Sequence, residues 1–214
     1  FPYTTLFRSG HTLVQCVTYS GHSPFIIPEE SKRISFSDKL PERLRNYMVV
    51  ANYTDYAIGQ FITFLRSQKK FENTMIVITG DHEGFGLTRK PLYEHALGKD
   101  IISPERFTPL IVLNSPVHLR YEKVMGQVDL YPTLLDLLGA DDYPWRGLGE
   151  SILSSGKKAF AISPQMEIIG DTVGVSTAEI QHAKDAWRVS DLIISCDYFA
   201  HGRTGDKKRS EEHT

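Results

Sequence analysis

Apolar residues fall along this chain in short dense runs, and the spacing within a run changes from one segment to the next. Leu13-Val14-Gln15-Cys16-Val17-Thr18 stops in the polar stretch Tyr19–Pro24, which predicts a buried strand running into a turn. Residues 26–40 mix Pro, Glu, Ser and Lys without a period and predict an irregular segment. Pro41 suits the first position of a helix. Beyond it, Leu44, Tyr47, Met48, Ala51, Ile58, Phe61, Ile62 and Leu65 recur every three or four positions, with charges between them. That spacing predicts a long amphipathic helix covering one face of a sheet. Met75-Ile76-Val77-Ile78 is β-branched and bounded by Gly80, which predicts a buried strand over 74–79 that ends abruptly.

The stretch from Gly80 to about Thr108 predicts a long loop, and such loops inside compact domains are usually functional. Leu110–Leu113, fenced by Pro109 and Pro116, predicts the next strand. Asp129 can cap a short helix through Leu137 and Leu138, which Gly139 ends. Ala159–Ile162 predicts a strand after the turn-rich Pro144–Gly156. Ser176 and Glu179 form a capping box for a last helix carrying Ile180, Ala183, Trp187 and Ile194, with Trp187 as a core residue. Strands alternating with helices predict an α/β sandwich around a largely parallel sheet.

Composition narrows the function only slightly. The net charge is −2, with no basic excess to suggest nucleic acid. Cys16 and Cys196 are expected to be two buried free thiols rather than a disulfide. Neither a signal peptide nor a membrane span is visible in the sequence. The two ends stand apart. Residues 1–9, FPYTTLFRS, are similar to the translation of short-read sequencing-adapter DNA, and residues 209–214, RSEEHT, to that of the partner adapter. Residues 10–208 are therefore expected to be a translated insert open at both ends, with the length of one α/β domain.

Candidate chemistry concentrates in Gly80-Asp81-His82-Glu83-Gly84. Open α/β sheets place ligands at the carboxyl ends of their strands. A carboxylate and an imidazole delivered there are both good ligands for a divalent metal. A DH pair alone is nonetheless a common dipeptide. His22, in the turn Tyr19-Ser20-Gly21-His22-Ser23-Pro24-Phe25, reads by itself as a turn histidine satisfied by backbone. His95, Arg89 and Lys90 lie in the long loop, where solvated side chains are the default. Glu83 can hold His82 or cap the next turn. Asp129 reads first as a helix cap, and His118, His182 and His201 as surface residues.

Several segments together carry a resemblance. They are Leu40-Pro41-Glu42-Arg43-Leu44-Arg45-Asn46-Tyr47, Tyr53-Thr54-Asp55, Ile58-Gly59, Phe61-Ile62, Leu65 and TMIVITGDHEG. Downstream come Val128-Asp129-Leu130-Tyr131-Pro132-Thr133-Leu134-Leu135, Leu138-Gly139 and Trp145–Leu153. From about Leu13 to Phe199 the chain resembles the sulfatase-like branch of the alkaline phosphatase superfamily, in particular the lipoteichoic acid synthase-like phosphoglycerol transferases.

The resemblance implies a three-layer sandwich, incomplete on its N-terminal side, with residues 10–208 the C-terminal part of one catalytic domain. It implies that Asp81 and His82 are ligands of one divalent ion, manganese first, with magnesium or zinc as alternatives. It makes His22 a contact to the transferred phosphate, and His95 a weaker candidate on the substrate side. The nucleophilic threonine and the first acidic ligand would precede residue 10, so the isolated chain is expected to be inactive. The implied substrate is a lipid headgroup or another phosphate or sulfate ester. The implied place is the outer side of the cell membrane, with the anchor in the upstream segment. Sulfate-ester hydrolysis, phosphoethanolamine transfer and non-catalytic binding of an anionic lipid or glycan remain alternatives.

Overall fold

The structure is a computed structural model and describes residues 12–82, 107–140, 142, 144 and 147–198. The chain divides into two compact units, Phe1–Asn114 and Ser115–Thr214.

The first unit is organised by helix α1, Glu42–Ser67. Pro41 stands one residue outside it as the N-cap, where its missing N–H costs nothing. Glu42 in the first turn and Arg66 in the last suit the helix dipole. The predicted helix is therefore present, but its buried stripe is different. Leu44, Val49, Val50 and Leu65 are buried, whereas Ala51 and Phe61 face solvent. The cause is tertiary: Phe25 and Ile27, from the irregular segment before the helix, pack on Val49 and Val50, with Tyr47 and Tyr53 alongside. Val50 is 2% exposed, and burying a side chain of that size stabilises by about 2 kcal/mol.

Strand β1, Ile76–Thr79, and strand β2, Leu110–Leu113, pair antiparallel with Ile76 opposite Leu113 and Thr79 opposite Leu110. Both were expected as strands. Asn114 closes the pair from its end. It takes the left-handed conformation (φ 56°), and its side-chain amide donates to the carbonyl of Thr74 at 3.0 Å. The expected strand at Leu13–Thr18 is not formed. It pairs with no strand among the described residues, and Leu13 is 87% exposed, so its backbone groups are left to water and no packed neighbour covers its side chains. Cys16 is accordingly free and exposed, not buried.

In the second unit, a single 3-10 turn at Gln127–Asp129 leads into helix α2, Leu130–Leu137, which Gly139 ends at φ 67°. Strands β3, Phe160–Ile162, and β4, Ile168–Gly170, form a hairpin, with Ile162 opposite Ile168. β4 was not anticipated because its period is hidden in a three-residue element. Helix α3, Thr177–Ser195, starts at the expected capping box: Glu179 N donates to Ser176 Oγ at 3.2 Å, and Ser176 N to Glu179 Oε2 at 2.7 Å. Trp187 is half-buried and Ile194 exposed, so the apolar stripe of α3 is not a closed core. Cys196, its C-cap, is free and exposed as well.

Helices and strands are thus both present, but the strand pairs among the described residues are antiparallel, in two separate two-stranded sheets. The largely parallel sheet predicted from alternation is not what these strands build. β1 and β2 pair with each other, and β3 is followed by a hairpin rather than by the helical crossover that parallel pairing requires.

Candidate functional site

β1 is a run of β-branched residues, and its stop is set by Gly80. A Cβ at Gly80 would meet the side chain of Thr108 at 3.2 Å, so the absent side chain lets the segment before β2 approach the exit of β1. Asp81 and His82 leave from that exit and both are exposed. The backbone N–H of His82 donates to Asp81 Oδ1 at 3.0 Å, and the His82 ring Nε2 lies 3.7 Å from Asp81 Oδ2. One carboxylate and one imidazole therefore share the strand end, facing solvent. Their donor chemistry fits a divalent ion. Among the described residues no group of three or more His, Cys, Asp or Glu side chains is gathered for a metal, and the pair by itself offers two donor groups. Glu83, Arg89, Lys90 and His95 lie outside the described residues.

His22 sits on an exposed turn closed by two backbone bonds, His22 N to Tyr19 O and Phe25 N to His22 O, each 3.0 Å. Its ring stacks on Tyr19 (centroids 5.8 Å apart, planes at 14°), and its Nδ1 lies 2.7 Å from Ser23 O. These contacts all stay within the turn. The turn is fastened by Phe25, 5% exposed, which meets Tyr47 edge-on and lies under the guanidinium of Arg43. Sequence reasoning singled out His22 and did not foresee this anchor, although an aromatic residue just after a Pro in a polar turn was the signal for it.

The second unit holds a different constellation. Asp129 is 4% exposed, and its carboxylate is fully engaged. Oδ2 accepts from Gly126 N at 2.8 Å and pairs with Lys157 Nζ at 2.9 Å, while Oδ1 accepts from Glu150 N at 2.9 Å. Thr133, one turn on and buried, donates to Asp129 O at 2.6 Å and accepts from Ile152 N at 3.1 Å. Gly149 permits this closure, since a Cβ there would stand 1.9 Å from Val128 O. Asp129 is thus a cap, as its sequence position suggested, but of the turn before α2 rather than of α2 itself. Its larger task is to tie residues 149–157 to that turn. Lys157 gave no sequence signal. Tyr121 has a buried hydroxyl without a hydrogen-bond partner, and burial, then the carboxylates of Asp129 and Glu150, push its pKa up. His118 and His182 are exposed, as expected, and His201 lies outside the described residues.

A family model described as Sulfatase matches residues 8–140, more than half of the chain. The chain belongs to the sulfatase family. Membership implies the α/β class of the alkaline phosphatase-like fold, and the match takes in both the His22 turn and the Asp81–His82 strand end. The sulfatase-family chain is also similar to the lipoteichoic acid synthase-like YvgJ of Bacillus subtilis, 32% identical over 155 residues. That match covers 68% of this chain and 25% of the relative. It is 30% identical over 146 residues to the lipoteichoic acid synthase of Staphylococcus aureus, covering 65% of this chain and 22% of that protein. The chain therefore spans about a quarter of the length of these curated relatives.

Proposed function

We propose that the whole protein to which this chain belongs is a metal-dependent phosphoglycerol transferase acting on a lipid headgroup. The observation that carries the proposal is the Asp81–His82 pair exposed at the end of β1 in a chain of the sulfatase family. The names of the relatives support the choice of headgroup. Asp81 and His82 would hold the divalent ion, manganese first, which when bound polarises a phosphate-ester oxygen. His22 donates a hydrogen bond to a nonbridging oxygen of the transferred group or protonates the leaving alkoxide. His95 is a weaker candidate on the substrate side.

Residues 10–208 are read as the C-terminal part of one three-layer catalytic domain, whose nucleophile and first acidic metal ligand belong to the upstream part of the whole protein. The membrane anchor and extracytoplasmic placement belong to the same reading. Among the described residues no helix is long and apolar enough to cross a membrane.

The test is metal content and phosphoglycerol release from phosphatidylglycerol, measured on the whole protein and on Asp81→Ala and His82→Ala. Both variants are expected to lose bound metal and to fall more than about a hundredfold in activity. Unchanged metal content in both would defeat the assignment. The isolated chain is expected to release no phosphoglycerol, and measurable transfer by it would overturn the placement of the nucleophile outside it. A second reading, sulfate-ester hydrolysis, is favoured by the description of the matching family. Turnover of an aryl sulfate in place of the lipid would select it.

A further inference from the structure

His22 is exposed, and an exposed histidine on a polar turn would ordinarily sample many ring orientations and both neutral tautomers. Here three independent features restrict it. The ring is stacked on Tyr19. Nδ1 is 2.7 Å from the carbonyl oxygen of Ser23, and a carbonyl accepts only, so Nδ1 carries the hydrogen and donates. The third feature lies three residues on. Phe25 takes the left-handed conformation at φ 63°, which a bulky residue adopts only where the surroundings impose it. Its ring is buried at the same time. Phe25 is 5% exposed, packs with Ile27, Val49 and Val50, meets Tyr47 edge-to-face at 5.3 Å, and lies 5.2 Å below the Arg43 guanidinium. Phe25 N in turn donates to His22 O at 3.0 Å. The left-handed backbone and the buried ring are therefore one device, and His22 is attached to it directly.

We propose that Phe25 is a positioning residue that, clamped by Tyr47 and Arg43 of α1, locks the turn so that His22 spends Nδ1 on Ser23 O and presents Nε2 outward to an anionic phosphate-ester oxygen. The inference rests on the reading of His22 as a substrate contact. It adds which nitrogen acts, and that α1 decides how firmly it is held. With Nδ1 committed, gain or loss of a proton occurs at Nε2. The protonated ring donates from Nε2 to an anionic oxygen, and the neutral ring leaves Nε2 as an acceptor.

The experiment is 15N NMR of the His22 ring in the full chain, recorded with the ring neutral, with His22→Gln as the assignment control. In wild type the neutral ring is expected in the Nδ1–H tautomer, opposite to the preference of free imidazole side chains. Phe25→Gly keeps a residue at ease with φ 63° but removes the ring, and is expected to return the tautomer ratio to that of a free histidine. Phe25→Leu, which keeps apolar volume without the ring, is expected to lie between. A wild-type ring already in the free-histidine ratio, or a Phe25→Gly ring that keeps the Nδ1–H form, overturns the proposal. Amide chemical shifts of β1 and β2 report whether each variant is folded. Should Phe25→Gly lose them, Arg43→Met decides: a tautomer ratio unmoved from wild type there would equally sink the clamp.

In the whole protein, Phe25→Leu is expected to lower kcat for headgroup transfer about tenfold with KM changed less than twofold. Wild-type activity of His22→Gln in that assay, together with the expected NMR result, would refute the substrate role while leaving the positioning intact.

Discussion

Asp129 and Lys157 form an ion pair with both side chains almost wholly out of water, at 6% and 10% exposure. Taking two charges into such a place costs several kcal/mol, and the pair is tolerable because two backbone N–H groups share the carboxylate. Removing one partner is a different matter from removing both. Lys157→Met leaves a buried carboxylate without its cation and is expected to destabilise the second unit by about 3 kcal/mol. Asp129→Asn combined with Lys157→Met removes both charges and is expected to recover much of that loss. Urea denaturation of the two single variants and the double variant measures the coupling, and strictly additive losses would show that the pair is not the clasp described. Tyr121 faces the same carboxylates. Its raised pKa means the folded state favours the neutral phenol, so this contribution is intact below the ordinary tyrosine value of 10.0 and is lost as pH rises above it.

At the scale of elements, α3 shows how a short sequence signal becomes a helix start. Ser176 and Glu179 satisfy each other's backbone N–H groups, and Ser176 lowers the Glu179 pKa through backbone and side-chain hydrogen bonds, with Lys158 assisting. A carboxyl held below its ordinary value of 4.5 supports the fold above that pH, and the support fades as pH falls through the depressed folded value. Ser176→Ala is expected to cost α3 about 1 kcal/mol at neutral pH, with a smaller difference from wild type at strongly acid pH. Helicity by far-ultraviolet circular dichroism across pH 2–7 checks it, a range of roughly two units either side of the ordinary value. A difference independent of pH would mean the box is not the source. α1 teaches the complementary point. Its length and ends follow from its own residues, whereas the turn of the helix that is buried follows from Phe25 and Ile27.

At the scale of the molecule, the two units hold together differently. The buried residues of the first are apolar: Phe25, Ile27, Leu44, Val49, Val50 and Leu65. In the second, the buried positions among the described residues are Asp129, Pro132, Thr133 and Ser151, so its interior is organised by hydrogen bonds and one ion pair. Large apolar side chains stay in solvent in both, with Val17 at 78%, Phe64 at 57% and Leu192 at 64%. Large apolar side chains left this exposed are open to water and to any apolar probe. The isolated chain is accordingly expected to bind the dye ANS in native buffer and to unfold with a shallow denaturant dependence for its length. Absence of dye binding together with a steep, cooperative transition would contradict this.

The sequence determined what depends on neighbours within a few residues. The periodic apolar positions fixed α1, the β-branched runs fixed β1 and β2, the Ser176–Glu179 spacing fixed the start of α3, and Gly139 fixed the end of α2. Asp81 and His82 were legible for the same reason, being adjacent in sequence and placed by the end of one strand. The quoted segments also carried the family, which the matching family model bears out. What tertiary structure decided involves partners far apart along the chain. It left Leu13–Thr18 unpaired, set β1 and β2 antiparallel, exposed both cysteines, and turned Val49 and Val50 inward. It also joined Asp129 to Lys157 and Phe25 to Arg43 and Tyr47, contacts that no local spacing encodes. Pairing and burial are set by which surfaces meet, and the energy of meeting belongs to both partners, so a run of residues read alone shows the capacity for a contact and not the contact itself.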